Sequence, residues 1–193
     1  MSPHATIISA RVDMPTTASH TAANDAAAFL EKRGITVTRW FGSDAVGSRI
    51  KYVDSDLIAY FGHGKRGEVG SHLLTPAISK QNSKLVKGSI VVLVACYAGE
   101  KFANELVKSG ARAVIGHIGP MYTGAGKSYD TFIEGFQTEI HELAEGRTAG
   151  EACSQAKAFW FSASKRVFNE AEARALSNAA NRVVVGDTDA TIW

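Results

Sequence analysis

His63, in Y-F-G-H-G-K-R-G (60–67), and Cys96, in V-V-L-V-A-C-Y-A-G (91–99), each stand where an apolar run of strand-forming residues breaks into small ones. An imidazole and a thiol are the two parts of a nucleophilic dyad: the imidazole takes the proton, the thiolate attacks a carbonyl, and the acyl group is carried as a thioester. Gly62 and Gly64 allow a sharp turn on either side of His63, and the N–H groups of Gly64 and Cys96 are candidates for holding the oxyanion that develops during attack. Each residue also has an ordinary reading. Free Cys is among the most buried residue types, and a single His is commonly structural. What argues for chemistry is the pair, set at two consecutive strand ends beside small-residue turns.

Two strand ends meet only if a sheet makes their strands neighbours. Along the chain, short β-branched runs alternate with longer amphipathic stretches, a pattern that predicts a parallel sheet covered by helices. Strands are expected at 5–12, 35–42, 56–64, 91–96 and 111–118, with a last one at the V-V-V of 183–185. Helices are expected at 16–34, 43–55, from about Ala98 to 110, and at 125–145, 149–169 and 170–181. Thr148 and Glu151 have capping-box spacing, and Lys32, Arg33 and Gly34 close the first helix. Residues 65–88, punctuated by Gly67, Gly70 and Pro76, read as a surface excursion. The expectation is an α/β three-layer sandwich around a mostly parallel central sheet of about six strands, in one domain spanning 1–193. Ligands of such sheets collect outside the carboxyl ends of the strands. Neighbouring strands lie about 4.8 Å apart, so His63 and Cys96 can face one gap, with the helix behind Cys96 directing its amino end at the sulfur.

Composition removes several competing classes. With 193 residues, 45% of them hydrophobic, the chain can bury one substantial core. The net charge of +2 is spread through the sequence, so no basic face points to nucleic acid. No stretch approaches the roughly 18 consecutive apolar residues of a membrane span, and M-S-P-H-A-T-I-I-S-A-R-V-D-M-P has no basic region leading into an apolar one. A cytoplasmic protein without membrane contact is expected. Cys96 and Cys153 have no C-x-x-C spacing, which argues against a disulfide framework or zinc cage. G-A-G-K-S (124–128) falls short of a phosphate loop, which needs Gly where Met121 stands. Asp187 and Asp189 lack a third ligand for a hard cation. Cys153 belongs to an apolar helix face, and His117 ends a strand without the H-G turn of His63.

Read together, I-A-Y-F-G-H-G (58–64), the run V-V-L-V-A-C-Y-A-G-E-K-F-A-N-E-L-V-K-S-G-A-R-A-V-I-G-H-I-G (91–119) and the closing V-V-V-G-D-T-D (183–189) resemble the caspase-like cysteine peptidase clan. The wording is nearest to its gingipain and CHAT-domain branches, from about residue 56 onward. The resemblance implies a caspase-like fold and a cysteine endopeptidase acting on protein or peptide substrates without an organic cofactor. His63 would be the general base, Cys96 the nucleophile, and Gly64 with Cys96 the oxyanion hole. An activating or regulatory protein partner is implied as well, since some relatives stay off until a partner or cleavage rearranges them. The loops after the first and fifth strands would form the substrate pocket, nominating Asp13, Ile118, Met121 and Tyr122. Asp13 would pair with a basic side chain there, or it is simply the acid that caps the following helix. The match has departures: Val94 stands where caspases carry Gln and metacaspases Asp, Tyr97 follows the Cys, and His63 precedes it by 33 positions. Two other readings stay open, a glutamine-amidotransferase-like Cys hydrolase and a catalytically idle interaction module.

Overall fold

The computed structural model describes residues 2–70, 76–122 and 128–193. In chain order the strands are β1 (His4–Ser9), β2 (Thr36–Phe41), β3 (Leu57–Phe61), β4 (His63–Lys65), β5 (Glu68–Gly70), β6 (Pro76–Ser79), β7 (Ile90–Val94), β8 (Ala113–His117) and β9 (Arg182–Gly186). The helices are α1 (Met14–Lys32), α2 (Lys101–Lys108), α3 (Tyr129–Ala144), α4 (Ala149–Lys165) and α5 (Glu170–Ala179). Six strands form the central sheet in the order β2-β1-β3-β7-β8-β9, and β4, β5 and β6 form a separate small sheet. Every neighbouring pair of the central sheet is parallel except β8 with β9.

Successive side chains of a strand point to opposite faces, and here both faces are covered. In β3, Leu57, Ala59 and Phe61 enter one core while Ile58 and Tyr60 enter the other; in β7, Ile90, Val92 and Val94 oppose Val91 and Leu93. That double burial is why both strands read as unbroken apolar runs. The first core is completed by Ala22, Ala26 and Leu30 of α1, Phe132 and Phe136 of α3, and Trp160 of α4. The second is closed by Phe102 and Leu106 of α2 together with Val69 and Ile78 of the small sheet. These layers are the expected α/β sandwich with six central strands.

The helix ends follow local chemistry. Asp13 caps α1, its carboxylate accepting the Thr16 N–H while the Thr16 hydroxyl accepts the Asp13 N–H, and a proline stands in the first turn where a missing N–H costs nothing. The Thr148–Glu151 capping box forms at α4 as its spacing predicts.

Four expectations require correction. Residues 43–55 form no α-helix, only a single tight turn at Gly42–Asp44, because Gly47 and Gly42 interrupt a stretch that buries little besides Ala45 and Ile50. The excursion at 65–88 contains β5 and β6, and Val69, Ala77 and Ile78 are fully buried rather than on the surface. The strand at 56–64 is broken at Gly62, after which His63 begins the small sheet. The helix behind Cys96 starts at Lys101, so a turn separates its amino end from the sulfur.

One ion pair is sealed inside. Arg182 of β9 donates from Nε to Glu139 of α3 at 2.6 Å and from an Nη to the Leu93 carbonyl of β7 at 3.1 Å, with the two side chains 3% and 1% exposed. This arginine fastens β9, which pairs antiparallel with β8, to the helix layer. Arg182→Ala should therefore lower unfolding free energy by about 3–5 kcal/mol, since Glu139 is left charged and unpaired. Urea denaturation measures it, and the double variant Arg182→Met with Glu139→Leu should recover most of the loss.

Candidate active site

Phe61 and Val94 are the last paired residues of β3 and β7, directly opposite each other. His63 and Cys96 each lie two positions beyond that rung, so the parallel register delivers both to the same height above the sheet. The Gly62 N–H still donates to the Val94 carbonyl at 3.2 Å, holding the two exits together. Gly62 has φ 153°, and a Cβ there would stand 2.5 Å from the Tyr60 hydroxyl oxygen.

Gly64 explains why the H-G motif and the A-C motif belong together. Its ideal Cβ position lies within 2.5 Å of the Cys96 carbonyl oxygen, 2.9 Å from the Ala95 Cβ and 3.1 Å from the Cys96 nitrogen. Only a glycine backbone can lie this close to the Cys96 backbone, and Ala95 must be small on the other side. The β4–β5 pairing, with His63 opposite Gly70 and Gly64 opposite Val69, anchors this segment.

The sulfur is held from the other flank. The Met121 N–H donates to Sγ of Cys96 at 3.2 Å, and the thiol lies 3.4 Å from the Met121 carbonyl. Cys96 is half-buried and reachable from solvent. The next residue, Tyr97, has φ 57°, and its N–H donates to the Gly119 carbonyl at 2.8 Å. A non-glycine residue in this left-handed region is strained, which marks the turn as one imposed by its surroundings. The Arg66 guanidinium lies 5.6 Å from the Tyr97 ring centre and 3.4 Å from a Glu100 carboxylate oxygen, and Glu100 also accepts the Gly119 N–H at 3.3 Å.

On the histidine side, Nε2 of His63 lies 2.8 Å from Oδ2 of Asp13. The carboxylate therefore caps α1 with one oxygen and meets the imidazole with the other. Burial pushes the Asp13 carboxyl up, but the Thr16 N–H, the Thr16 hydroxyl and His63 together outweigh it and hold the group below its ordinary value.

A cavity of about 280 Å³ opens beside these groups, lined by His63, Cys96, Val94, Met121, Tyr122 and Phe136 among others. The expected pocket residues thus separate. Met121 and Tyr122 line the cavity with His63 and Cys96. Asp13 does not line it, because its carboxylate is turned to Thr16 and His63. Ile118 is also elsewhere: its N–H is tied to the Asn181 carbonyl, and it lines a separate depression with Phe161 and Val183. The contact of Asp13 with His63 was hidden in the sequence by a separation of 50 residues; the available signal was that Asp13 follows a strand adjacent to the one carrying His63.

The remaining candidates sit apart. His117 is fully buried, its ring nitrogens 2.5 Å from the Asn178 carbonyl and 3.2 Å from the Gly119 carbonyl. Cys153 is buried in the helix-side core, where burial pushes its thiol up, away from reactivity. Asp187 accepts the Asp189 N–H within a turn, and among the described residues no group of three or more His, Cys, Asp or Glu side chains is placed to hold a metal ion. Of G-A-G-K-S, residues 124–127 lie outside the described residues. Among the described residues no helix is long and apolar enough to cross a membrane.

The model of peptidase family C25 matches residues 16–193. Among solved structures, one described as "Structure of Protease" superposes with a TM-score of 0.64 at 12% identity, covering 97% of this chain and 48% of that one. This chain thus spans about half the length of that protein. A Streptococcus pneumoniae TIGR4 flavodoxin superposes with a TM-score of 0.46 at 17% identity, over 71% of this chain and 97% of that one. No curated protein matches.

Two outcomes follow from this geometry. Asp13→Ala should cost about 0.5–2 kcal/mol of unfolding free energy through the lost cap. Because the folded-state carboxyl lies below its ordinary value, this increment is complete above the ordinary carboxylate range and is lost as pH falls through the folded-state value, so urea midpoints of wild type and variant should converge in acid. Gly64→Ala should slow alkylation of Cys96 by iodoacetamide by at least about tenfold while the circular dichroism stays native, since the added methyl displaces the Cys96 backbone.

Proposed function

Because the chain belongs to peptidase family C25, the gingipain family of the caspase-like clan, we propose that it is a cysteine endopeptidase in which Cys96 is the nucleophile, His63 the general base and Asp13 the residue that positions His63. The observation that carries this reading is the placement of His63 and Cys96 two positions beyond the facing Phe61–Val94 rung of β3 and β7, on the wall of one cavity, with the Asp13 carboxylate behind the imidazole.

The chemistry follows from those positions. Asp13 accepts from Nε2 of His63, which fixes the ring plane and stabilises the imidazolium once it forms. The other ring nitrogen, Nδ1, takes the thiol proton. The thiolate attacks the substrate carbonyl carbon, a C–S bond forms, and the negative charge moves to the carbonyl oxygen. The N–H groups of Gly64 and Cys96, brought together by the glycine contact, donate to that oxyanion. Collapse breaks the C–N bond as His63 returns its proton to the leaving amine, giving a thioester. A water molecule, deprotonated by His63, then attacks the thioester; the C–S bond breaks and the thiolate is regenerated with the carboxylic acid product. Met121, whose N–H points at the sulfur, holds it in line.

This assigns Asp13 a different duty from that of a pocket acid. Its carboxylate is occupied by the catalytic histidine, so recognition of a basic substrate side chain does not fall to it.

Cys96→Ala and His63→Ala should each abolish peptide hydrolysis with the fold retained, and Cys153→Ser should keep it; wild-type hydrolysis by either of the first two refutes the assignment. Asp13→Asn should lower kcat by about 100-fold or more with little change in KM. Asp13→Glu should recover part of it, a rescue that a purely structural cap would not require.

A further inference from the structure

We propose that His117 is a positioning residue for Cys96: as pH falls, its buried imidazole takes up a proton from solvent and then clamps the Gly119–Met121 segment that holds the sulfur. This rests on the peptidase reading and adds a regulation of that same site.

The geometry is that of one ring between two acceptors. His117 closes β8, is fully buried, and has Nε2 2.5 Å from the Asn178 carbonyl oxygen and Nδ1 3.2 Å from the Gly119 carbonyl oxygen. Both partners accept hydrogen bonds and neither can donate, whereas a neutral imidazole carries one N–H and one bare nitrogen. Only the imidazolium donates to both. The shorter contact selects the neutral tautomer: the proton sits on Nε2, because two facing lone pairs at 2.5 Å would repel far more than at 3.2 Å. Nδ1 then turns a lone pair toward the Gly119 carbonyl, and that contact becomes a hydrogen bond only when a second proton arrives.

The surroundings decide when that proton is taken up. Asn178 lies in the last turn of α5, where the carbonyl ends of a helix favour a cation. Arg182 of β9 stands directly opposite His117 in the ladder and disfavours a second positive charge, while Glu139 of α3 pairs with that arginine. Lys157 of α4 lines the depression that Ile118 and Arg182 share, and Glu100, just before α2, accepts the Gly119 N–H at 3.3 Å. Burial and Arg182 outweigh the two carbonyls and hold the ring below the ordinary histidine value. His117 is therefore neutral at neutral pH and gains its proton only below the ordinary histidine range. The consequence reaches the sulfur by a short path. The Gly119 carbonyl also receives the N–H of Tyr97, next to Cys96, and two residues beyond Gly119 the Met121 N–H donates to Sγ at 3.2 Å. Protonated His117 ties the end of α5, the loop after β8 and the turn after Cys96 to one ring; neutral His117 holds α5 and repels the loop.

The test compares the wild-type chain with His117→Gln, whose amide gains no charge, over a range of pH on a fluorogenic peptide that the wild type cleaves. Both proteins keep His63 and Cys96, so the wild-type-to-variant ratio of kcat removes the ionisations those residues share. That ratio should rise by about 3- to 10-fold as pH falls through the His117 midpoint, with the ratio of KM values unchanged. A ratio that does not depend on pH is the behaviour of a merely structural histidine and overturns the inference. Nuclear magnetic resonance of the isotope-labelled wild type gives a second reading that needs no variant. The His117 ring should carry its proton on Nε2 well above the ordinary histidine value and titrate below it, and the Tyr97 and Met121 amide signals should move with the same midpoint. A proton on Nδ1 in the neutral ring, or amide signals that do not follow the ring, overturns the clamp even where His117→Gln fails to fold. Cleavage of no peptide, or cleavage that survives in Cys96→Ala, overturns the peptidase reading alone, because the ring and amide titrations still decide whether His117 grips the loop.

Discussion

The backbone of Gly64 lies against the backbone of Cys96, and the rest of the site is arranged around that approach. Strand register alone brings His63 and Cys96 to the same height, because Phe61 and Val94 close the β3–β7 ladder as a facing pair. Register does not by itself bring the chain exits into contact. That requires a residue without a side chain on one strand and a methyl on the other, which Gly64 and Ala95 supply. The small sheet of β4, β5 and β6 then fixes the direction in which the chain leaves His63, and its buried Val69 and Ile78 tie that direction to the second core. The precision of the site thus derives from packing on the face opposite the cavity.

Asp13 links folding to chemistry in the same economical manner. Its carboxylate satisfies an N–H that the start of α1 would otherwise leave without an intrahelical partner, and the same group meets the imidazole. Either duty alone is common. Their combination couples the first turn of α1 to the contact with His63, and the helix that packs Ala22, Ala26 and Leu30 against the sheet is the one that carries that contact.

Much of this was legible in the sequence because both faces of the central strands are covered, so β3 and β7 announce themselves as apolar runs and their ends as small-residue turns. The H-G and A-C motifs were readable for the same reason: close backbone approach leaves glycine and alanine as its trace. What escaped was set by distance or brevity. Strands of three or four residues, as in β4, β5 and β6, are too short to show a period, so Val69 and Ile78 passed for surface. The 43–55 segment has the polarity of an exposed helix, but its glycines and sparse core contacts favour an irregular path. Asp13 was visible as an acid at a strand end, yet a pocket acid, a cap and a histidine partner look alike until the neighbouring strand is known. Ile118 and Met121, three residues apart on one loop, diverge because the first is tied to Asn181 and the second to the Cys96 sulfur.

Tyr97 carries a further implication. Its backbone is left-handed while its N–H donates to the Gly119 carbonyl and its ring faces the Arg66 guanidinium, and a non-glycine residue in this region sits roughly 1–2 kcal/mol above its relaxed state. The segment from Gly119 to Met121 supplies both the carbonyl that restrains Tyr97 and the amide that touches sulfur. The restraint on Tyr97 and the contact to the Cys96 sulfur therefore share one short segment, so a displacement of the post-β8 loop would alter both together.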